Sequence, residues 1–138
     1  MKVIFVGLSN KLGMAPLASD SISGALIDEI IKDINEDCIK TNLVDFAPLD
    51  KNNKLRYPNQ IEKDLGFISL NKTIERNNPC LIVCLGNEVY EYLGKKFINS
   101  IKIKHPSYIA VYRRKFREEY ITETSILINS LIIKDFDI

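Results

Sequence analysis

Short runs of consecutive apolar residues alternate along this chain with stretches whose apolar positions recur every three or four residues. Four such runs, 2–6, 38–44, 80–85 and 100–104, are rich in Val, Ile and Leu and have the length of strands buried on both faces of a parallel sheet. The last differs in pattern, because Ile101-Lys102-Ile103-Lys104 alternates apolar with charged and so suits an edge strand better than a central one. Between the runs the period becomes helical. Ile22, Leu26, Ile30 and Ile34 lie on one face of a helix predicted over 21–35. Asn59 stands three residues before Glu62, the spacing of a capping box, and Ile61, Leu65 and Ile68 give the helix it opens an apolar face. Gly86-Asn87 can turn the third strand into a short helix carrying Val89, Tyr90 and Leu93 and ended by Gly94. A long final helix is predicted over 114–133.

Strand and helix in alternation predict an α/β fold, a three-layer α/β/α sandwich around a central four-stranded parallel sheet with right-handed crossovers. Ligands then bind beyond the C-terminal ends of the strands. The two longest irregular stretches, 9–19 and 46–58, both leave the sheet there. No repeat or linker interrupts the pattern, and 138 residues fit one domain, so a single domain over 1–138 is expected.

Composition, 46% hydrophobic and 27% charged, is that of a globular protein and excludes disorder as the default. A net charge of +1 means that no global field draws nucleic acid, so any such binding must rest on a local patch. The best patch is Tyr112-Arg113-Arg114-Lys115-Phe116-Arg117, which equally fits the solvated first turn of a helix. Three cysteines, Cys38, Cys80 and Cys84, contain no CxxC pair and make a disulfide framework or zinc site improbable. The chain opens on Val3-Ile4-Phe5-Val6 without the pattern of a signal peptide, and no apolar run reaches membrane-spanning length. Cytoplasmic residence, no membrane partner and a monomeric state are the expectations.

Chemistry concentrates at the strand exits. Gly7-Leu8-Ser9-Asn10 follows the first strand; it is neither a GxGxxG nor a P-loop, and it fits a plain βα turn as well as a phosphate or water site. Asn42 is the one amide in an apolar strand, so it must be satisfied by a neighbouring loop or face a ligand. Its carbonyl and NH2 would match the N3 donor and O4 acceptor of uracil. His105, the only histidine, is followed by Pro106, which fixes the backbone, and by Ser107, which can bond a phosphate. An imidazole placed there can donate to a developing oxyanion on a leaving base.

Gly7-Leu8-Ser9-Asn10, then Thr41-Asn42-Leu43-Val44 with Pro48, then Asn53, Arg56 and Pro58 before the second helix, and finally His105-Pro106-Ser107, together resemble the uracil-DNA glycosylase superfamily. Their layout is similar to the thermostable bacterial and archaeal branch. The resemblance implies a uracil-DNA glycosylase-like fold, DNA as partner, base flipping, and hydrolysis of the N-glycosidic bond. It implies that Asn42 reads the base, that His105 stabilises the departing anion, and that Gly7 and Leu17 or Phe46 pack against the base. Ser107 and Ser23 would hold phosphates, Tyr108 to Arg114 would form a wedge in the vacated stack, and Arg113 and Arg114 would grip the backbone. Two departures stand out. Ser9 occupies the position where several branches keep a water-activating Asp or Asn, leaving Asn10 or Ser9 as the available catalytic groups. Three cysteines cannot supply the four that an iron-sulfur cluster needs, so no cofactor is expected.

Three functions therefore compete: a DNA glycosylase for uracil or a related deaminated or mismatched base, a weak or inactive module of the same fold that binds nucleic acid, a nucleotide or a protein, and a non-DNA enzyme on a small nucleoside or nucleotide, which fits the near-zero net charge. Ser9 is the feature that keeps the second in play.

Overall fold

The first strand shows how the layers arise. Val3 and Phe5 enter one apolar cluster and Ile4 and Val6 another, because alternate side chains of a strand point to opposite faces. All four are fully buried, so both faces must be covered. The computed structural model describes residues 2–11, 17–19, 21–112 and 114–136, and of these the side chains of all but 110–112, 114 and 133–136. The elements run β1 (Lys2–Ser9), α1 (Ile22–Lys32), β2 (Asp37–Val44), α2 (Gln60–Asn77), β3 (Leu81–Leu85), α3 (Asn87–Leu93), β4 (Ser100–Ile103), α4 (Pro106–Tyr112), a 3-10 turn (Arg114–Phe116) and α5 (Arg117–Phe136). The strands are parallel in the order β2-β1-β3-β4, with β4 at an edge as its alternation implies. Helices α1 and α5 bury Leu26, Ile27, Ile30, Ile121 and Ile128 against one face, while α2 and α3 bury Leu70, Ile74, Val89 and Leu93 against the other. The three-layer α/β/α sandwich with a four-stranded parallel sheet is thus the observed architecture.

Several boundaries and faces differ from expectation for identifiable reasons. β1 does not end at Val6, because Gly7 pairs with Asn42 and Ser9 with Val44, which carries the first motif on the sheet itself. On α1, Ile22 is 62% exposed, and Ile27 fills the core in its place. On α2 the expected face is turned outward: Ile61, Leu65 and Ile68 are 70%, 59% and 58% exposed, and Gly66, Leu70 and Ile74 are buried instead. A Cβ on Gly66 would lie 2.2 Å from the Leu43 carbonyl oxygen, so the helix backbone rests directly on β2, and that contact sets the helix's rotation. The capping box at the start of α2 is present in full, with Asn59 and Glu62 bonding each other's backbone N–H. The segment after His105 is helix α4 rather than a projecting loop. Pro106 suits the first helical position, and Ile109 is buried at 5% exposure. The final helix starts at Arg117, after the 3-10 turn.

No helix among the described residues is long and apolar enough to cross a membrane. Cys38, Cys80 and Cys84 are free thiols, and burial pushes those of Cys38 and Cys84 up to about 11 and about 12.

Candidate active site

β1 and β3 are neighbours in the sheet, and the helices that follow them, α1 and α3, pack on opposite faces, which opens a crevice at the C-terminal ends of the two strands. A cleft of about 460 Å3 occupies that position. Its walls are Gly7, Leu8 and Ser9 from the end of β1, Lys11, Leu17, Ala18, Ser21 and Ser23 from the approach to α1, Asn42 from β2, Leu55 to Tyr57 from the β2–α2 loop, and His105 and Ser107 at the start of α4. The volume falls within the range of small-molecule sites. Gly7, Ser9, Leu17, Ser23, Asn42, His105 and Ser107, all singled out from sequence, meet here.

Asn42 is 5% exposed, and its Oδ1 has no hydrogen-bond partner among the described residues. Its Nδ2 donates to Asn10 Oδ1 at 2.8 Å. Asn10 in turn donates from Nδ2 to the Asp45 carbonyl at 2.9 Å, and its backbone N–H reaches the Phe46 carbonyl at 3.2 Å. Both ends of the Asn10 amide are therefore engaged with protein groups, and Asn10 is not among the residues lining the cleft. Gly7 makes room for Asn42: a Cβ there would sit 2.4 Å from Asn42 Oδ1 and 3.3 Å from Leu17 Cδ2. Ser9 lines the cleft, but a lone hydroxyl is a feeble general base.

His105 is held at the N-terminal end of α4. The Ser107 backbone N–H donates to His105 Nδ1 at 3.1 Å, and the Ser107 hydroxyl lies 2.7 Å from the same nitrogen. A backbone N–H can only donate, so Nδ1 is the acceptor and the neutral ring carries its proton on Nε2. Burial, and then the charge of Lys11, hold the imidazole below its ordinary 6.5. Gly86, at φ 92, brings the β3–α3 turn under the ring, where its absent Cβ would lie 3.5 Å from His105 Cβ. The carbonyl of Lys104, one residue before His105, accepts the Tyr120 hydroxyl at 2.6 Å, which ties the strand exit to α5. The result is a neutral imidazole whose Nε2–H has no hydrogen-bond partner among the described residues.

That state is directly measurable, because the chain has one histidine. A ¹H-¹⁵N NMR titration is expected to show the Nε2–H tautomer at neutral pH and a midpoint below 6.5. The folded value lies below the unfolded one, so the unfolded chain takes up the proton first. His105 accordingly contributes stability that is complete above about pH 6.5 and is lost as pH falls from there through the folded midpoint. An Nδ1–H tautomer or a midpoint above 6.5 would contradict the assignment.

The mouth of the cleft holds residues that motif reading left out. Tyr57 is 73% exposed and lines the rim together with Leu55. Arg56 anchors them: its guanidinium donates to the Leu49 and Tyr57 carbonyls and pairs with both oxygens of Glu62 at 2.7 and 3.1 Å. Glu62 is itself pulled below the usual carboxylate range by Arg56. Arg56 is thereby occupied as a clamp between loop and α2. Phe46, a candidate stacking aromatic, is 40% exposed and does not line the cleft, whereas Tyr57 does. The one sequence signal for Tyr57 was an aromatic in a Pro-ended loop leaving a strand C-terminus. Ser23, a candidate for phosphate contact, is 4% exposed and lines the cleft, and its Oγ has no partner among the described residues. Tyr108 is 40% exposed on α4, beside the cleft opening but in a helix rather than a wedge-shaped loop. Arg113 lies outside the described residues, and so does the side chain of Arg114.

The chain is thus an open parallel α/β protein whose cleft, at the C-terminal end of β1, brings a buried amide oxygen and a part-buried imidazole together. The profile of the Uracil DNA glycosylase superfamily matches residues 2–125, and the chain belongs to that superfamily. The crystal structure of wild-type Pedobacter heparinus SMUG2 is similar in fold, with a TM-score of 0.68 over 94% of this chain and 75% of that one at 16% sequence identity. No curated protein sequence matches the chain.

Proposed function

We propose that the protein is a DNA glycosylase that takes uracil, or a related deaminated or mismatched base, flipped out of DNA into this cleft and hydrolyses its N-glycosidic bond. The observation that carries this reading is the carbonyl oxygen of Asn42. Leaving such an acceptor buried without a partner costs about 1–3 kcal/mol, and a base N–H entering the cleft removes that penalty. His105 stands ready for the other half of the work. As the glycosidic bond breaks, its electron pair passes to the base, and the Nε2–H of a neutral imidazole donates to the base oxygen on which negative charge gathers. Water then adds to the oxocarbenium-like sugar. Ser9 can orient that water by a hydrogen bond but not deprotonate it efficiently. Tyr57 and Leu17 supply the apolar surroundings of the base, Lys11 meets a flanking phosphate, Ser107 gives its hydroxyl and N–H to His105 Nδ1 instead of to a phosphate, and Tyr108, Arg113 and Arg114 complete the DNA contact.

Single- and double-stranded oligonucleotides containing uracil, hypoxanthine or a G·T mismatch, treated with the protein and then with alkali, test the proposal. Strand scission at one of these bases is the expected outcome. Ser9→Asp is expected to raise the rate by about tenfold or more, since a carboxylate supplies the base that the serine lacks. The place of Ser9 and the engagement of Asn10 favour a second reading, a module that binds a base without cleaving it. Binding of uracil oligonucleotides without scission, in both the natural chain and Ser9→Asp, selects that reading.

A further inference from the structure

We propose that Asn10 is a specificity-determining residue: it fixes which way round the Asn42 carboxamide faces, and so restricts the cleft to bases that present a ring N–H beside a carbonyl oxygen. The inference rests on the nucleobase reading of the cleft given above.

The argument is a chain of obligatory donors and acceptors. The Asp45 backbone carbonyl can only accept. Asn10 must therefore turn its Nδ2 toward that carbonyl, where it lies at 2.9 Å, which leaves Asn10 Oδ1 facing Asn42. That oxygen can also only accept, so Asn42 must answer with Nδ2, at 2.8 Å, and its own Oδ1 is left on the cleft side, against Gly7. An isolated asparagine amide has two nearly equivalent orientations. Here the reverse orientation would set two carbonyl oxygens against each other with no proton between them, and would also leave a buried NH2 unanswered. The Asn10 backbone is itself held by its N–H on the Phe46 carbonyl, which fixes the point from which the carboxamide projects.

The polarity determines the substrate class. Asn42 offers one vacant acceptor and, with one Nδ2 proton given to Asn10, one remaining donor. The complementary edge carries N–H next to C=O, as in uracil, hypoxanthine and xanthine. Cytosine and adenine present a bare ring nitrogen next to an amino group, which is the opposite pattern. Asn10 thus separates a deaminated base from its amino parent without touching either, and it acts through Asn42 as a positioning residue rather than as a catalytic one.

The test measures binding, so it does not depend on turnover. Oligonucleotides bearing uracil or cytosine on a 2′-fluoroarabino sugar, whose electron-withdrawing fluorine suppresses glycosidic cleavage, are titrated into the full chain and into Asn10→Ala and Asn10→Asp. The natural chain is expected to prefer uracil. Asn10→Ala is expected to lose about 10-fold or more of that preference, because Asn42 can then present either face. Asn10→Asp gives up the bond to the Asp45 carbonyl but is still only an acceptor toward Asn42 Nδ2, so it is expected to keep more of the preference than Asn10→Ala does. Slow solvent exchange of the Asn42 side-chain amide protons in the natural chain is the accompanying expectation, and it needs no variant to fold. A uracil preference that survives Asn10→Ala undiminished, or fast exchange of those protons, overturns the role of Asn10 while leaving the nucleobase reading intact. Absence of any preference in the natural chain removes the nucleobase reading and this inference together.

Discussion

Replacing His105 with alanine is expected to slow uracil excision by about 10²–10³-fold, the usual consequence of removing one preorganised donor to a developing oxyanion. The size of the effect follows from how the ring is held. Its Nδ1 is committed to the Ser107 N–H, its proton is thereby placed on Nε2, and burial keeps it neutral, so no proton or solvent has to be rearranged when the base departs. A donor already aimed into a part-buried cleft gives most where charge appears only in the transition state. The same substitution removes an acceptor for a free N–H at the start of α4, which costs about 1 kcal/mol of stability. His105→Asn separates the two effects. Asparagine is a favoured helix cap, so the melting temperature should return toward that of the natural chain, while its shorter amide cannot place a donor where Nε2 was, and excision stays slow. Recovery of both in His105→Asn, or less than about a tenfold loss in His105→Ala, would move the donor's role to another residue.

The extent to which this site could be seen in the sequence varied with the range of the contacts that build it. Asn42 and His105 were visible because each is chemically out of place: one amide in an apolar strand, and the only histidine of the chain at a strand exit before a proline. Their meeting in one cleft followed from strand order, since a parallel sheet gathers its C-terminal ends on one side. The rotation of α2 was not visible. Ile61, Leu65 and Ile68 carry an apolar period, yet the face with Gly66, Leu70 and Ile74 turns inward, because Gly66 lets the helix backbone rest on β2 while Leu70 and Ile74 enter the core. The bonds of Asn10 have no local signal, because its partners, Asp45 and Asn42, lie more than thirty positions away along the chain. Tyr57 was passed over for the same reason. It reaches the rim because Arg56 grips Glu62 and the loop carbonyls together, and that clamp has no local signature.

The β1 glycine shows how tightly recognition and fold are bound together in this cleft. Gly7→Ala is expected to lower uracil excision by about 10²-fold, a loss of the size that a misplacement near 1 Å can cause, with the fold retained. The added methyl would begin 2.4 Å from Asn42 Oδ1, well inside contact distance, and Leu17 Cδ2 at 3.3 Å closes the other side. Gly7 cannot retreat, because it is paired directly with Asn42 in the sheet. The carboxamide must therefore move, and moving it breaks the 2.8 Å contact with Asn10 that sets its orientation. Overpacking of this kind costs about 1–3 kcal/mol of stability, which a thermal melt will register as a modest shift. The single histidine provides the internal control: if the NMR titration of His105 is unchanged in Gly7→Ala while uracil binding weakens, the damage is confined to the Asn42 half of the cleft. Excision at the natural rate in Gly7→Ala would mean that Asn42 tolerates displacement, and that the base is read by other groups.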